Sequence, residues 1–252
     1  MKSKPVCLII GAEDYIGAAI ARRFAKGGFH IVMGRRHGKK LAPVIAEIET
    51  ASDSAQSFTW NARKEKAASE MFAHVEGKID PIEICSFNVG GNVYFSILET
   101  TERVFRKVWE MCAYAAFLSG REAAKYMVKR ERGSILFTGA TASVRGSLGY
   151  VAFASGKFAL RGLTQSMARE LGPKNIHVAH LVIDAGINTD FVRDRLRKAG
   201  ENPDFLPPDT PDESEQHCRS PLELASPTAR WLDIRTGHTS LRRDMVIQVG
   251  IP

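Results

Sequence analysis

Short apolar or β-branched runs alternate with longer segments of helical period along most of this chain. The alternation is typical of a parallel sheet, because each crossover between parallel strands needs a connecting helix, and the helices then cover both faces. It predicts a doubly wound α/β fold with about seven parallel strands. The candidate strands are residues 6–10, 30–34, 56–61, 82–88, 134–139, 176–183 and 245–249.

A glycine turn follows the first candidate strand. Gly11 and Gly17 enclose it, residues 16–24 carry apolar side chains every four positions, and Gly27-Gly28 offers a helix stop. Such a strand, turn and helix present free backbone N–H groups and the positive end of the helix dipole to a pyrophosphate. Two glycines at this spacing also suit an ordinary tight turn. The strand and helix pattern that follows is what favours a Rossmann-type, dinucleotide-binding domain.

The chain is basic, with a formal net charge of +7. This charge permits binding to anions such as nucleotide phosphates, nucleic acid or membrane headgroups. The basic residues are dispersed in pairs that are not interleaved with aromatic residues, so no nucleic-acid partner is predicted. Examples are the pairs Arg22-Arg23, Arg35-Arg36, Lys39-Lys40 and Arg242-Arg243.

The spacing of the cysteines and the hydropathy of the chain predict the cellular compartment of the protein. Cys7, Cys85, Cys112 and Cys218 lie far apart without a Cys-x-x-Cys pair. Their spacing argues against a zinc ribbon or a disulfide framework, so we expect no metal site and a reducing compartment. No apolar run approaches the ~18 residues that span a bilayer, and the first strand leaves no room for a signal peptide. We therefore expect a cytoplasmic protein without a membrane partner.

Two further motifs complete a family pattern. Residues 153–157 read Phe-Ala-Ser-Gly-Lys, and residues 88–90 read Asn-Val-Gly directly after an apolar run. With the glycine turn, and in this order along the chain, they resemble the motifs of the short-chain dehydrogenase/reductase family. The resemblance implies an NAD(P)-dependent oxidoreductase whose small-molecule substrate is a carbonyl compound or an alcohol. It also implies a homo-oligomer, dimer or tetramer, with an interface built by the helical segments 101–129 and 150–171.

A proline-rich segment bears on the domain organisation. Residues 191–216 hold four prolines among many charges, which predicts a loop or short-helix excursion that we interpret as a substrate lid. It lies too near the C-terminus to divide two domains, and 252 residues with 44% hydrophobic content suit one sizeable core. Residues 1–252 are expected to form a single domain with a lid excursion near residues 190–216.

The catalytic positions depart from the family pattern. In that family a tyrosine is the general acid or base, a lysine four residues on lowers its pKa, a serine bonds the substrate oxygen and an asparagine completes a proton relay. Here Lys157 is retained, but Phe153 stands at the tyrosine position, Ala140 at the serine and Cys112 at the asparagine. General acid catalysis, typically worth about 10²–10⁴-fold, would be missing, while the proximity contribution to hydride transfer would remain.

Other residues could supply the proton. Tyr150 lies one helical turn before the phenylalanine and is the best substitute phenol. Alternatively, it is an aromatic residue that packs at the start of the helix or at an oligomer contact. Cys112 could donate a proton, although a buried thiol in apolar surroundings is usually inert. Thr141 and Ser143 could reach a substrate oxygen, or they could satisfy backbone groups in a turn.

The resemblance also places the cofactor. Past the second strand, Arg35 and then Arg36 stand where an acid would select NAD, so NADP is favoured and NAD remains possible; both arginines could instead be solvated. Tyr15 occupies a family glycine position, which weakens the expected affinity. The implied cofactor-binding residues are Gly11, Tyr15, Ile16, Gly17, Arg35, Arg36, Asn61, Asn88, Gly90, Lys157, Ile187 and Thr189.

Two hypotheses remain open from the sequence. The retained cofactor frame and Lys157 favour an oxidoreductase with a rearranged proton donor. The joint loss at positions 112, 140 and 153 favours a non-catalytic descendant that serves as a nucleotide sensor or as a binding subunit.

Overall fold

A computed structural model describes residues 4–12, 15–51, 54–183, 190–198, 200, 202 and 246–249. Seven strands form one sheet in the order β3-β2-β1-β4-β5-β6-β7. The strands are β1 Val6–Ile10, β2 His30–Arg35, β3 Ala55–Thr59, β4 Ile82–Phe87, β5 Gly133–Thr138, β6 Ile176–Val182 and β7 Val246–Val249. The helices are α1 Ile16–Lys26, α2 Ala42–Thr50, α3 Glu65–Lys78, α4 Glu102–Trp109, α5 Ala115–Arg130, α6 Val151–Leu171 and α7 Asp190–Lys198.

The doubly wound α/β prediction is confirmed for strands β1 to β6, which all pair in parallel. The last strand differs from the prediction, because β7 pairs antiparallel with β6. A strand at the edge of a sheet has one neighbour only, and an otherwise parallel sheet commonly accepts an antiparallel strand there. The apolar character of residues 245–249 predicted a strand but carried no information about its direction.

Each face of the sheet is buried under its own helices. Val6, Leu8 and Ile10 pack with residues of α3, α5 and α6, while Cys7 and Ile9 pack with residues of α1 and α2. Successive side chains of a strand point to opposite faces, so a strand covered on both sides must be apolar throughout. This requirement explains the short uninterrupted apolar runs in the sequence.

The helix boundaries refine the predictions. The segment 101–129 contains α4 and α5, joined by a π-helical turn, Glu110–Tyr114. Helix α6 begins at Val151, so Tyr150 is its N-cap residue and lies outside the helix. Gly28 has a left-handed φ of 84° just after α1, as the helix stop required. In the part of the chain that the structure describes, no helix has both the length and the apolar character needed to cross a bilayer.

The strand order reverses at β1, which lies between β2 and β4. In open α/β sheets the ligand crevice lies outside the carboxyl ends of the strands at such a reversal. The segments that follow β1, β4 and β5 therefore meet at one edge of the sheet, and they hold most of the candidate residues.

Candidate functional site

The glycine turn after β1 is packed too closely for a side chain at its first position. Gly11 has a φ of 79°, and its N–H donates to the Gly34 carbonyl at 2.9 Å. A Cβ atom on Gly11 would lie 2.6 Å from Cγ2 of Val89 and 2.9 Å from its backbone nitrogen. Both the backbone conformation and the space therefore require glycine at this position.

The start of α1 fits a dinucleotide phosphate in part. Tyr15 is the N-cap residue, Ile16 is the first helical residue, and the Tyr15 side chain makes no capping hydrogen bond to the first turn. A Cβ on Gly17 would lie 2.7 Å from Cα of Ala12, so this glycine allows the helix to approach the strand end. These features suit an anion at the helix start, whereas the side chain of Tyr15 stands where the family has a glycine.

Asn88 connects the end of β4 to this turn. Its backbone N–H donates to the Ile10 carbonyl at 2.7 Å, and its side-chain Nδ2 donates to the Gly11 carbonyl at 3.3 Å. Gly90 is exposed, and a Cβ there would meet no atom within 4 Å. Asn88 thus holds two strand ends together, and Gly90 leaves an open approach beside them.

The predicted adenosine side lies at the ends of β2 and β3. Arg35 is partly buried as the last residue of β2, and Arg36 is exposed. Asn61, just past β3, is already engaged, because its Oδ1 accepts hydrogen bonds from the backbone N–H and Nε of Arg63 at 3.3 and 3.4 Å. Arg35 thus lies at the strand end and Arg36 in the turn that follows it.

Lys157 is buried at the centre of the catalytic candidates. Its Nζ donates to the Thr138 carbonyl at 2.7 Å and lies 5.8 Å from the ring centroid of Phe153. Burial lowers the pKa of Lys157, and the nearby Cys112 partly opposes that shift. The lysine therefore fastens α6 to the end of β5 and presents an ammonium close to the position of the missing phenol.

The space around Phe153 is apolar. Four residues form a buried cluster there, and further apolar side chains pack against it. The four are Val108, Cys112, Ala152 and Phe153, and their neighbours include Ala140, Ala142, Met111 and Tyr150. The structure thus brings together the three substituted catalytic positions, 112, 140 and 153, as one apolar group.

Cys112 lies in the π-helical turn and faces α6. A Cβ on Gly156 would lie 2.9 Å from Cβ of Cys112, so the glycine allows the turn to approach the helix closely. Burial raises the pKa of the Cys112 thiol, while Lys157 and a backbone hydrogen bond from Gly91 act in the opposite direction. A thiol with a raised pKa stays protonated and is a poor proton shuttle. Turns of this type occur frequently at functional sites, and no pattern in the sequence predicts this one.

The substitute donors differ in their surroundings. The Ser143 hydroxyl donates to the Ala140 carbonyl at 2.6 Å and is buried, so it satisfies a backbone group. Tyr150 packs edge-on against Tyr94, with ring centroids 5.3 Å apart. The backbone N–H of Thr141 donates to the Ile183 carbonyl at 3.1 Å. Of the three, Ser143 is thus committed to the turn.

Sequence reasoning missed His180. This residue of β6 is 3% exposed, and neither ring nitrogen has a hydrogen-bond partner among the described residues. A Cβ on Gly139 would lie 2.4 Å from its Nε2. Burial, and then the charges of Lys157 and Arg161, lower its pKa to about 3. A histidine within an apolar strand that is buried on both faces was the one available signal.

Some predicted elements lie outside the described residues. They include Ile187, Thr189 and most of the 191–216 segment, whose described beginning is helix α7. Within the described ranges, no group of three or more His, Cys, Asp or Glu side chains is arranged to hold a metal ion.

Comparison with known proteins agrees with this geometry. The family model for short chain dehydrogenases matches residues 5–199. Human dehydrogenase/reductase SDR family member 4 is 30% identical over 189 residues, which are 75% of this chain and 68% of that protein. A solved short-chain dehydrogenase from Rhodopseudomonas palustris is 48% identical, with a TM-score of 0.68 over 81% of this chain and 95% of its own.

A more distant structure supports the fold alone. An actinorhodin polyketide ketoreductase with NADPH is 20% identical and has a TM-score of 0.79, over 89% of this chain and 91% of its own. The family model covers well over half of the sequence, and its ordered motifs meet at one edge of a doubly wound sheet. This chain belongs to the short-chain dehydrogenase family.

Proposed function

We propose that this protein is an NADP-preferring oxidoreductase that reduces a carbonyl compound or oxidises an alcohol, with a proton donor other than the usual tyrosine. The observation that carries the proposal is the placement of Lys157. Its ammonium is buried, is held by the Thr138 carbonyl and lies 5.8 Å from the ring centroid of Phe153. Burying a cation is costly unless it is used or well bonded, and one carbonyl satisfies only one of its three donors.

The cofactor supplies the hydride when it is bound. Gly11, Gly17 and the start of α1 would hold its pyrophosphate, and Lys157 has donors left for a ribose hydroxyl. The apolar cluster around Phe153 would exclude water from the reacting atoms. Proximity alone supports some hydride transfer, and the remaining acceleration requires a proton source near Lys157.

Arg35 supports the preference for NADP. It ends β2 beside the glycine turn, where an extra ribose phosphate would lie in this fold. Arg36 is exposed, so we expect it to contribute less to phosphate binding. A guanidinium pairs with phosphate through two parallel hydrogen bonds, which favours the phosphorylated cofactor.

The decisive experiment is a titration of the purified protein with NADPH and with NADH, followed by cofactor fluorescence and thermal shift. Micromolar NADPH binding with weaker NADH binding supports the proposal and justifies a screen of carbonyl substrates. Absence of binding by either cofactor would reject it and would mean that Tyr15 closes the site.

A second candidate function is a nucleotide sensor or binding subunit without catalysis. The favouring observation is the apolar cluster that replaces three hydrogen-bonding positions. This candidate predicts NADPH binding with no turnover on any carbonyl or alcohol in the screen, so the titration and the screen together separate the two functions.

We also propose a homo-oligomer. Phe105 and Trp109 of α4 and Phe117 of α5 are each about two-fifths exposed, at 39%, 40% and 40%. Several large exposed apolar side chains on neighbouring helices mark an interaction surface. Light scattering on the purified protein tests this, and a monomeric mass at micromolar concentration would contradict it.

A further inference from the structure

We infer that His180 exchanges a proton with Lys157. Protons would then reach Lys157 from strand β6, and not from position 112 on the π-helical turn, where the family has its asparagine. This inference rests on the proposed oxidoreductase function. It is carried by the arrangement of two buried side chains around one peptide unit at the end of β5.

Lys157 and His180 flank the peptide unit between Thr138 and Gly139. The Lys157 ammonium donates to the Thr138 carbonyl at 2.7 Å. On the neighbouring strand, the His180 ring lies so close to Gly139 that a Cβ there would be 2.3 Å from its Cε1 and 2.4 Å from its Nε2. The next residue of the chain, Ala140, is the vacated serine position. The imidazole is thus directed at the catalytic end of β5.

The usual route to the lysine is closed in this chain. Cys112 stands at the asparagine position, and burial keeps its thiol protonated. A thiol is a weak donor and a weak acceptor, so it is a poor replacement for the amide of the family's proton relay. Any proton that reaches Lys157 must therefore come from another direction.

His180 has the chemistry that such a relay needs. Buried polar atoms without a partner are rare in folded proteins and usually have a functional or solvent-linked reason. The charged groups within range are Lys157 and Arg161, both on α6, and both favour the neutral imidazole. A neutral imidazole donates from one nitrogen and accepts at the other, and a bridging water would carry the proton between the two side chains.

The proton step balances without any redox change in these residues. When a carbonyl is reduced, the hydride for its carbon would be supplied by a bound nicotinamide dinucleotide. A Lys157 Nζ–H bond breaks as the O–H bond of the alcohol forms. The imidazole N–H proton then passes through the water to the neutral amine, and the other ring nitrogen, which is buried, takes a proton from water that enters when the product leaves. At the end His180 is neutral, as at the start, but in its other tautomer. In alcohol oxidation the same proton transfers run in the opposite direction.

The first test uses the protein without cofactor. Carbon-13 NMR of labelled lysine gives the pKa of Lys157 in the parent and in His180→Leu. A hydrogen bond that accepts from the ammonium favours its charged form, so the pKa is expected to fall by about one unit in His180→Leu. An unchanged Lys157 pKa would overturn the relay.

His177→Leu is the matched control. His177 lies on the same strand, and its Nε2 is also buried without a partner among the described residues. It alternates with Val178 and His180, so it faces the other side of the sheet. Leucine at 177 should leave the Lys157 pKa unchanged. An equal fall of the Lys157 pKa in both variants would mean that any histidine replacement in β6 changes this pKa, and would also overturn the relay.

The second test separates the relay from structure. His180→Leu removes a ring that has no direct hydrogen-bond partner among the described residues, so its urea midpoint should stay close to that of the parent. Its turnover should fall about 10²-fold at unchanged NADPH affinity. His180→Gln keeps one donor and one acceptor but cannot exchange a ring proton, so it should restore most of the Lys157 pKa without restoring turnover. Turnover restored by His180→Gln would refute proton exchange, whereas a parent without turnover would refute the proposed function and leave the pKa test standing.

Discussion

Replacing Phe153 by tyrosine would return a phenol to the neighbourhood of Lys157. The Lys157 Nζ lies 5.8 Å from the centre of the Phe153 ring. At that separation and an effective dielectric constant of about 20, an ammonium stabilises a phenolate by about 3 kcal/mol. This free energy corresponds to about two pKa units, which would bring the phenol from its ordinary value near 10 to about 8.

The pKa of the new phenol is measurable without knowing the substrate. The difference in ultraviolet absorbance between Phe153→Tyr and the parent, followed against pH, reports the ionisation of the added tyrosine. Phe158→Tyr is the matched control, because Phe158 is on the same helix but 44% exposed and outside the apolar cluster. We expect the control phenol to titrate near 10.

Turnover provides the second measurement. Phe153→Tyr combined with Ala140→Ser restores the phenol and the hydroxyl, so NADPH consumption with generic carbonyl compounds should rise by about 10²–10⁴-fold over the parent. A phenol at position 153 that titrates near 10, or a double variant no faster than Phe158→Tyr, would refute the reasoning that Lys157 still serves this pocket.

Three further predictions follow from other parts of the molecule. Arg35→Ser should weaken NADPH binding about tenfold, because one charge-assisted contact is lost, and should leave NADH binding unchanged. Arg36→Ser should weaken NADPH binding less. A larger effect of Arg36→Ser would mean that Arg36, and not Arg35, is the main phosphate contact. The pKa of His180 is lowered to about 3 in the folded protein, so on acidification the unfolded chain binds a proton at this histidine before the folded protein does. The free energy of unfolding should therefore be constant above about pH 6.5 and should fall by up to about 1.4 kcal/mol per pH unit below it. Urea titrations of the parent and His180→Leu at several pH values test this, and parallel curves would contradict it. Glu76→Ala should cost about 3 kcal/mol in urea, because the Glu76 carboxylate is 8% exposed, pairs with Arg130 at 2.8 Å and accepts the Ile82 N–H at 3.2 Å. The control Glu70→Ala breaks only an exposed pair and should cost less than about 0.5 kcal/mol.

The sequence predicted the fold better than it predicted the chemistry of the site. Apolar runs and glycine positions are local signals, so β1, the turn at Gly11 and six parallel strands could be derived from them. The direction of β7 and the π-helical turn around Cys112 depend on partners far along the chain, and no local pattern encodes them. The His180 ring lies against Gly139 only because β5 and β6 are neighbours in register, which is information that the sheet supplies.

The contact between Gly139 and His180 also constrains how the sequence can vary. Any side chain at position 139 would need the space that the imidazole occupies, and it would meet the Leu181 carbonyl at 2.8 Å as well. The two positions should therefore covary in a lineage: relatives with histidine at the β6 position should have glycine at the end of β5, and relatives with serine or alanine there should have a smaller β6 residue. A side chain at position 139 is tolerated only after the imidazole at position 180 has been replaced, whereas position 180 can change first, so the two substitutions are expected to occur in one order.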